Sequence, residues 1–148
     1  MKIVLFIIRY LFVLIYLTTS LGKLLDNRGF AQAITAYQLP GLGQMNGFVL
    51  SFALAFSLFE LFLAYALTTG KKLLVTAYAV LAVQLMYLVL ALVTLYRGIT
   101  IDNCGCFGVF LQRPLTTATV YEDLLLLIMA IAQALLIKKY HQHQKAAL

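Results

Sequence analysis

The chain has 148 residues, 64% of them hydrophobic and 11% charged, with a formal charge of +6. A soluble domain of this length needs far more polar surface, so the composition excludes a soluble enzyme and marks an integral membrane protein. Nothing in the charge pattern suggests nucleic acid, and the basic C-terminal tail is read as lying against anionic lipid.

A hydrocarbon core about 30 Å thick takes roughly 20 apolar residues per helix. Four stretches qualify, at residues 3–21, 48–69, 73–96 and 120–137. Lipid cannot satisfy exposed backbone groups, so each is read as a full helix. The expected fold is all-α, an antiparallel four-helix transmembrane bundle forming a single domain over residues 1–148.

The first span begins after Lys2 and is followed by Thr19, Ser20 and Gly22, a pattern shared with cleaved signal peptides. Arg9 interrupts its apolar run, so it is read as a retained helix. Residues 30–37 have the makings of a short amphipathic helix, or a plain loop, before Pro40-Gly41 breaks the chain. Glu60 lies inside the second span. Ionisable groups in a bilayer tend to face the bundle interior and to pair. Counting about 1.5 Å per residue puts Arg9 and Glu60 at a common depth, so an intramembrane Arg9–Glu60 ion pair is expected.

Gly70-Lys71-Lys72 makes a tight turn between antiparallel neighbours. In the third span Gln84, with Tyr78 and Tyr87 near its face, is a candidate wall for a quinone headgroup, or else an interhelical hydrogen-bonding group. Tyr10, Tyr16, Tyr96 and Tyr121 look like interfacial anchors. The loop after Arg97 contains Gly98, Gly105, Gly108 and Pro114, which argue against a continuing helix. The last span is preceded by a candidate capping box, Thr119 with Glu122. His141 and His143 in the basic tail are read as solvated surface, and no metal site is expected.

With four spans, both termini share a face with the Lys71-Lys72 turn. That face also carries Lys2, Lys138, Lys139 and Lys145. On the opposite face Lys23, Arg28, Arg97 and Arg113 are offset by Asp26, Asp102, Glu122 and Asp123, so the net +6 falls on the face with the termini. The positive-inside rule makes that face cytoplasmic and turns the loop between the third and fourth helices outward.

That loop holds the only cysteines, Cys104 and Cys106, in Asp102-Asn103-Cys104-Gly105-Cys106-Phe107-Gly108. Residues two apart reach disulfide distance only if the chain turns between them, and Gly105 is the residue most able to turn. So small a ring adds little chain-entropy stabilisation and, if strained, is readily reduced. Nearby Lys23, Arg97 and Arg113 would favour thiolate and Asp102 would oppose it. These arguments favour a redox-active Cys104–Cys106 disulfide. A structural or inert pair and a soft-metal site stay open; the latter would need ligands that the outer loops lack beyond Met45.

The Cys104-Gly105-Cys106-Phe107-Gly108 motif before a final membrane helix resembles the MauE branch of the MauE/DoxX-like membrane proteins. Arg9, Gly22-Lys23, the 30–40 segment with Tyr37, and Glu60 add to the resemblance, which spans most of the chain. It implies redox maturation of exported proteins in a bacterial inner membrane, a quinone-linked disulfide oxidoreductase architecture, and a thioredoxin-like or other exported thiol partner. Such enzymes commonly carry two cysteine pairs, whereas this chain has one. The combined reading is a membrane thiol–disulfide oxidoreductase, or a redox component of a membrane complex. Cys104 and Cys106 would be catalytic, with quinone held near Lys23 and Gln84. The alternative is a non-catalytic assembly subunit whose cysteine loop docks a partner.

Overall fold

The computed structural model describes residues 2–39 and 46–146. Pro40-Gly41 and Met45 fall outside these residues, as do the side chains of Lys2, His141, His143 and Lys145. The described chain is all-helical. It comprises α1 (Lys2–Leu25), α2 (Asn27–Ala36), α3 (Asn46–Thr69), α4 (Leu73–Tyr96) and α5 (Thr117–Ala146), with a 3-10 turn at Gly108–Phe110. Helices α1, α3, α4 and α5 are each long and apolar enough to cross a bilayer. At 1.5 Å per residue, a 24-residue helix such as α1 is about 36 Å long.

The most extensive pairings are α1 with α3 and α4 with α5, closed into a bundle by α3–α4 and α1–α5 contacts. Phe12, Tyr16, Leu63, Leu67, Val80 and Ala130 form the central core. Many large apolar side chains, among them Phe62, Val75 and Ile128, remain exposed on the outside. That arrangement suits a lipid-facing surface, where burying such groups inside the protein brings no hydrophobic gain.

Helix α2 replaces the choice between loop and short helix with a definite element. Asp26 caps it, its Oδ1 accepting the Gly29 N–H at 2.8 Å, and Phe30, Ala33 and Ile34 are buried. It packs against α3 and α1 at the end of the bundle that also carries the cysteine loop. Its far end is held by Arg97, whose guanidinium donates to the carbonyls of Tyr37 and Gln38 at 3.2–3.3 Å. Cations are favoured at such C-terminal carbonyls.

At the opposite end, Gly70 (φ +69°) and Lys72 (φ +52°) adopt left-handed backbone and make the tight turn between α3 and α4. The last helix starts earlier than the expected Thr119 cap. Thr119 Oγ1 instead reaches back to accept the Thr116 N–H at 3.3 Å, and Glu122 turns to Arg113. Tyr96 and Tyr121 are strongly exposed and Tyr10 partly so, but Tyr16 is buried and accepts a hydrogen bond from Gln84 at 3.4 Å. Tyr16 is a core residue because it faces α4 across the bundle.

Candidate functional site

The cysteine loop is fixed to the bundle from several sides. The Cys104 N–H donates to the Arg113 carbonyl and the Leu115 N–H to the Ile101 carbonyl, both at 2.9 Å. Tyr37, at the end of α2, donates its hydroxyl to the Cys104 carbonyl at 2.9 Å. Burial, and then the nearby Cys106 and Cys104, hold the Tyr37 hydroxyl well above its ordinary pKa, so it remains a donor. Within the loop, Asn103 Oδ1 accepts the Gly105 N–H at 3.0 Å. Gly105 has φ +72°, and a Cβ there would meet Ala33 Cβ at 2.8 Å, so glycine is required twice over.

Both thiols are free, and the two cysteines approach within 2.9 Å. Cys104 is buried at 3% exposure, while Cys106 is half-buried. Cys104 is lowered to about 6, chiefly by the hydrogen bond it accepts from Cys106, with the Cys106 N–H and the Arg113 guanidinium adding to it against the effect of burial. Cys106 is raised, first by that same hydrogen bond and then by burial. One thiolate shared within a dithiol is therefore the favoured ionised state, with the charge on Cys104. Arg113 acts on the pair as anticipated and is itself tied to Glu122 through a two-pronged ion pair, one arm at 2.9 Å. Arg97 is occupied at the end of α2 instead. Asp102 is exposed, and Asp123 of α5 is a carboxylate that disfavours thiolate at Cys106.

Beneath the loop lies a buried cluster that corrects the expected Arg9–Glu60 pair. Glu60 pairs with Lys23, whose Nζ donates to Oε2 at 2.7 Å, with both side chains almost fully buried. Lys23 also donates to the Tyr87 hydroxyl, which donates in turn to Glu60 Oε1. Three rings enclose the ammonium, with centroids at 4.9 Å (Phe30), 5.4 Å (Phe56) and 5.1 Å (Tyr87). Arg9 donates instead to the carbonyls of Leu67 and Thr68, the latter at 2.8 Å, at the end of α3. The reason is helix register. With Arg9 opposite Leu67, Glu60 lies seven residues away, about 10 Å along α3 and beyond side-chain reach.

Two cavities flank the cysteines. One of about 60 Å³ is walled by Cys106, Tyr16, Glu60, Gln84, Tyr87 and Asp123 among others. The other, of about 150 Å³ and almost wholly apolar, is lined by Cys104, Phe30, Tyr37, Phe52, Phe56 and Tyr87 among others. Gln84 thus lies on the Cys106 side. Lys23 is fully engaged by its partners, and Tyr78 points outward at 48% exposure and lines neither cavity. Tyr87 is the aromatic that borders both. The cage rings Phe30 and Phe56, and Asp123, had no distinguishing mark in the sequence.

Two glycines seat the loop on α1. A Cβ on Gly108 would lie 2.2 Å from the backbone of Gly22, and one on Gly22 would lie 2.3 Å from the Phe107 carbonyl oxygen. The Gly22-Lys23 pair and the Cys-Gly-Cys-Phe-Gly motif are therefore two halves of one contact. The family profile described as "Methylamine utilisation protein MauE" matches residues 1–136. The chain belongs to the MauE family. No curated protein and no solved structure matches the chain. The match spans all four long apolar helices up to the last turns of α5, so family membership and the membrane bundle agree.

Proposed function

We propose that this MauE-family membrane protein is a thiol–disulfide oxidoreductase acting on an exported thiol protein, such as a thioredoxin-like partner. The family description names methylamine utilisation, and the oxidoreductase reading rests on the site itself. The observation that carries the reading is the pinned Cys104–Cys106 pair, in which one thiol is held at about 6. A low-pKa thiol is a good leaving group and a thiolate at neutral pH, the two properties that exchange requires. A static staple requires neither.

The apolar cavity beside Cys104 suits a quinone ring, offering the aromatic walls of Phe30, Phe52 and Phe56. A quinone there would accept two electrons from the reduced pair, with one proton from Cys106 and one from the medium, and so restore the disulfide. The chain's own residues hold the pair in place, keep the Cys104 charge stable through Cys106 and Arg113, and bury Cys104 while leaving Cys106 half-buried.

Replacing either Cys104 or Cys106 by Ser is expected to abolish exchange with a dithiol substrate while leaving the bundle folded by circular dichroism. Full activity in the double Ser variant would sink the reading. Redox titration separates it from the assembly-subunit alternative: a midpoint below about −300 mV would mark a structural disulfide.

A further inference from the structure

Lys23, Glu60 and Tyr87 form a closed hydrogen-bonded ring in which each member touches the other two. They come from α1, α3 and α4. Burying an ion pair is costly, and the exchange chemistry above makes no use of it. A two-membered pair would be enough to neutralise charge. The third member, a hydroxyl that both accepts and donates, lets a proton change owner within the ring without any heavy atom moving.

The ring lies against Cys106. Glu60 and Tyr87 wall the same cavity of about 60 Å³ as its sulfur, which leaves room for a water. The titratable and charged groups around Cys106 are Tyr16 and Lys23 from α1, Tyr37 at the end of α2, Glu60 from α3, Tyr87 from α4, Cys104 and Arg113 from the loop, and Glu122 and Asp123 from α5. Arg113 and Glu122 are committed to each other. Asp123 disfavours the Cys106 thiolate and Lys23 favours it.

Building on the oxidoreductase reading, we propose that the Lys23–Glu60–Tyr87 ring is the proton donor and acceptor for Cys106 during thiol–disulfide exchange. A partner thiolate attacks Cys106 Sγ. A partner–Cys106 bond forms, the Cys104–Cys106 bond breaks, and the electron pair leaves on Cys104. The partner's second thiol gives its proton to water and attacks its own sulfur in the mixed disulfide. The partner disulfide forms and the electron pair leaves on Cys106. Cys106 is the poorer leaving group, its thiol pushed up by the hydrogen bond to Cys104 and by burial. A proton from Tyr87 Oη completes its departure, Lys23 Nζ resupplies Tyr87, and the ring recovers its proton from the medium. The partner loses two electrons and the cysteine pair gains them. The quinone-class acceptor named above would take them up again together with two protons, the one from Cys106 passed on through the ring and one from the medium, so that the disulfide re-forms and the ring ends as it began.

The test uses the full chain in lipid nanodiscs. In a Cys104→Ser background, the pH profile of Cys106 alkylation by iodoacetamide reads the sulfur's protonation without any redox partner. Glu60→Gln removes the carboxylate that neutralises Lys23, so the Cys106 midpoint should fall by about one pH unit. In the wild-type cysteine pair, Tyr87→Phe should slow reduction by dithiothreitol ~100-fold and erase its solvent isotope effect. An unmoved Cys106 midpoint in Glu60→Gln, together with a Tyr87→Phe rate within about twofold of wild type, would overturn the proposal. Should Glu60→Gln fail to fold, the near-isosteric Tyr87→Phe decides alone. A Cys106 midpoint that follows Glu60 in a protein inert to both dithiol and quinone would retain the ring as the proton partner of Cys106 and reject the oxidoreductase reading.

Discussion

Cys104 is unusual in being at once buried and easily ionised. Burial alone would favour the neutral thiol, but the Cys106 hydrogen bond and the Arg113 charge outweigh it. Because the pKa is lowered to about 6, the thiolate is populated above that value and lost below it. Alkylation of the reduced protein should therefore be half-maximal near pH 6 at Cys104, measured by mass spectrometry of the labelled peptides. Arg113→Gln, which removes a favourable charge, should move that midpoint upward. A wild-type midpoint near the ordinary thiol value of 9.0 would contradict the geometry. The cysteines were legible in the sequence because they stand alone in a polar loop. The partners of Lys23 and Glu60 were not. An ion pair between helices depends on their relative register, which shifts by about 1.5 Å per residue and leaves no trace in either helix's own pattern.

Among the elements, the cysteine loop behaves as part of the bundle rather than as a free connection. It is seated on α1 by the Gly22–Gly108 contact, tied to α2 through Tyr37, and tied to α5 through Arg113 and Glu122. Gly108 has φ +56°, so a side chain there faces both backbone strain and collision with α1. Gly108→Ala should destabilise the folded protein by about 1–3 kcal/mol, measured by denaturant unfolding in detergent, and should raise the labelling of Cys104 as the loop lifts. Labelling and stability unchanged from wild type would show that the loop does not depend on this seat. The extent of helix was legible from apolar runs, to within a few residues at most ends. The start of α5 was missed because Thr119 and Glu122 fit a capping box in sequence, whereas in space Glu122 is claimed by Arg113 and Thr119 by the Thr116 N–H.

Over the whole molecule, charge and chemistry separate to opposite ends. Lys71, Lys72, Lys138 and Lys139 are exposed at one end, and the cysteine loop and α2 cover the other. On the positive-inside rule we propose that the lysine end faces the cytoplasm and the cysteines lie outside. In a variant with both native cysteines replaced by Ser, a membrane-impermeant maleimide added to spheroplasts should label Asp102→Cys and not Lys72→Cys. The reverse pattern would invert the topology and remove the oxidising compartment from the loop. Composition and hydropathy alone determined that the chain is a helical membrane protein with one candidate redox pair, since lipid permits few backbone solutions and both cysteines fall in one polar loop. Only the tertiary structure decided which charges meet: Lys23 with Glu60 and Tyr87 inside an aromatic cage, and Arg9 with the end of α3. Those choices follow from how helices dock side by side, and in a uniformly apolar sequence docking is set by shape and by a few polar contacts that composition cannot reveal.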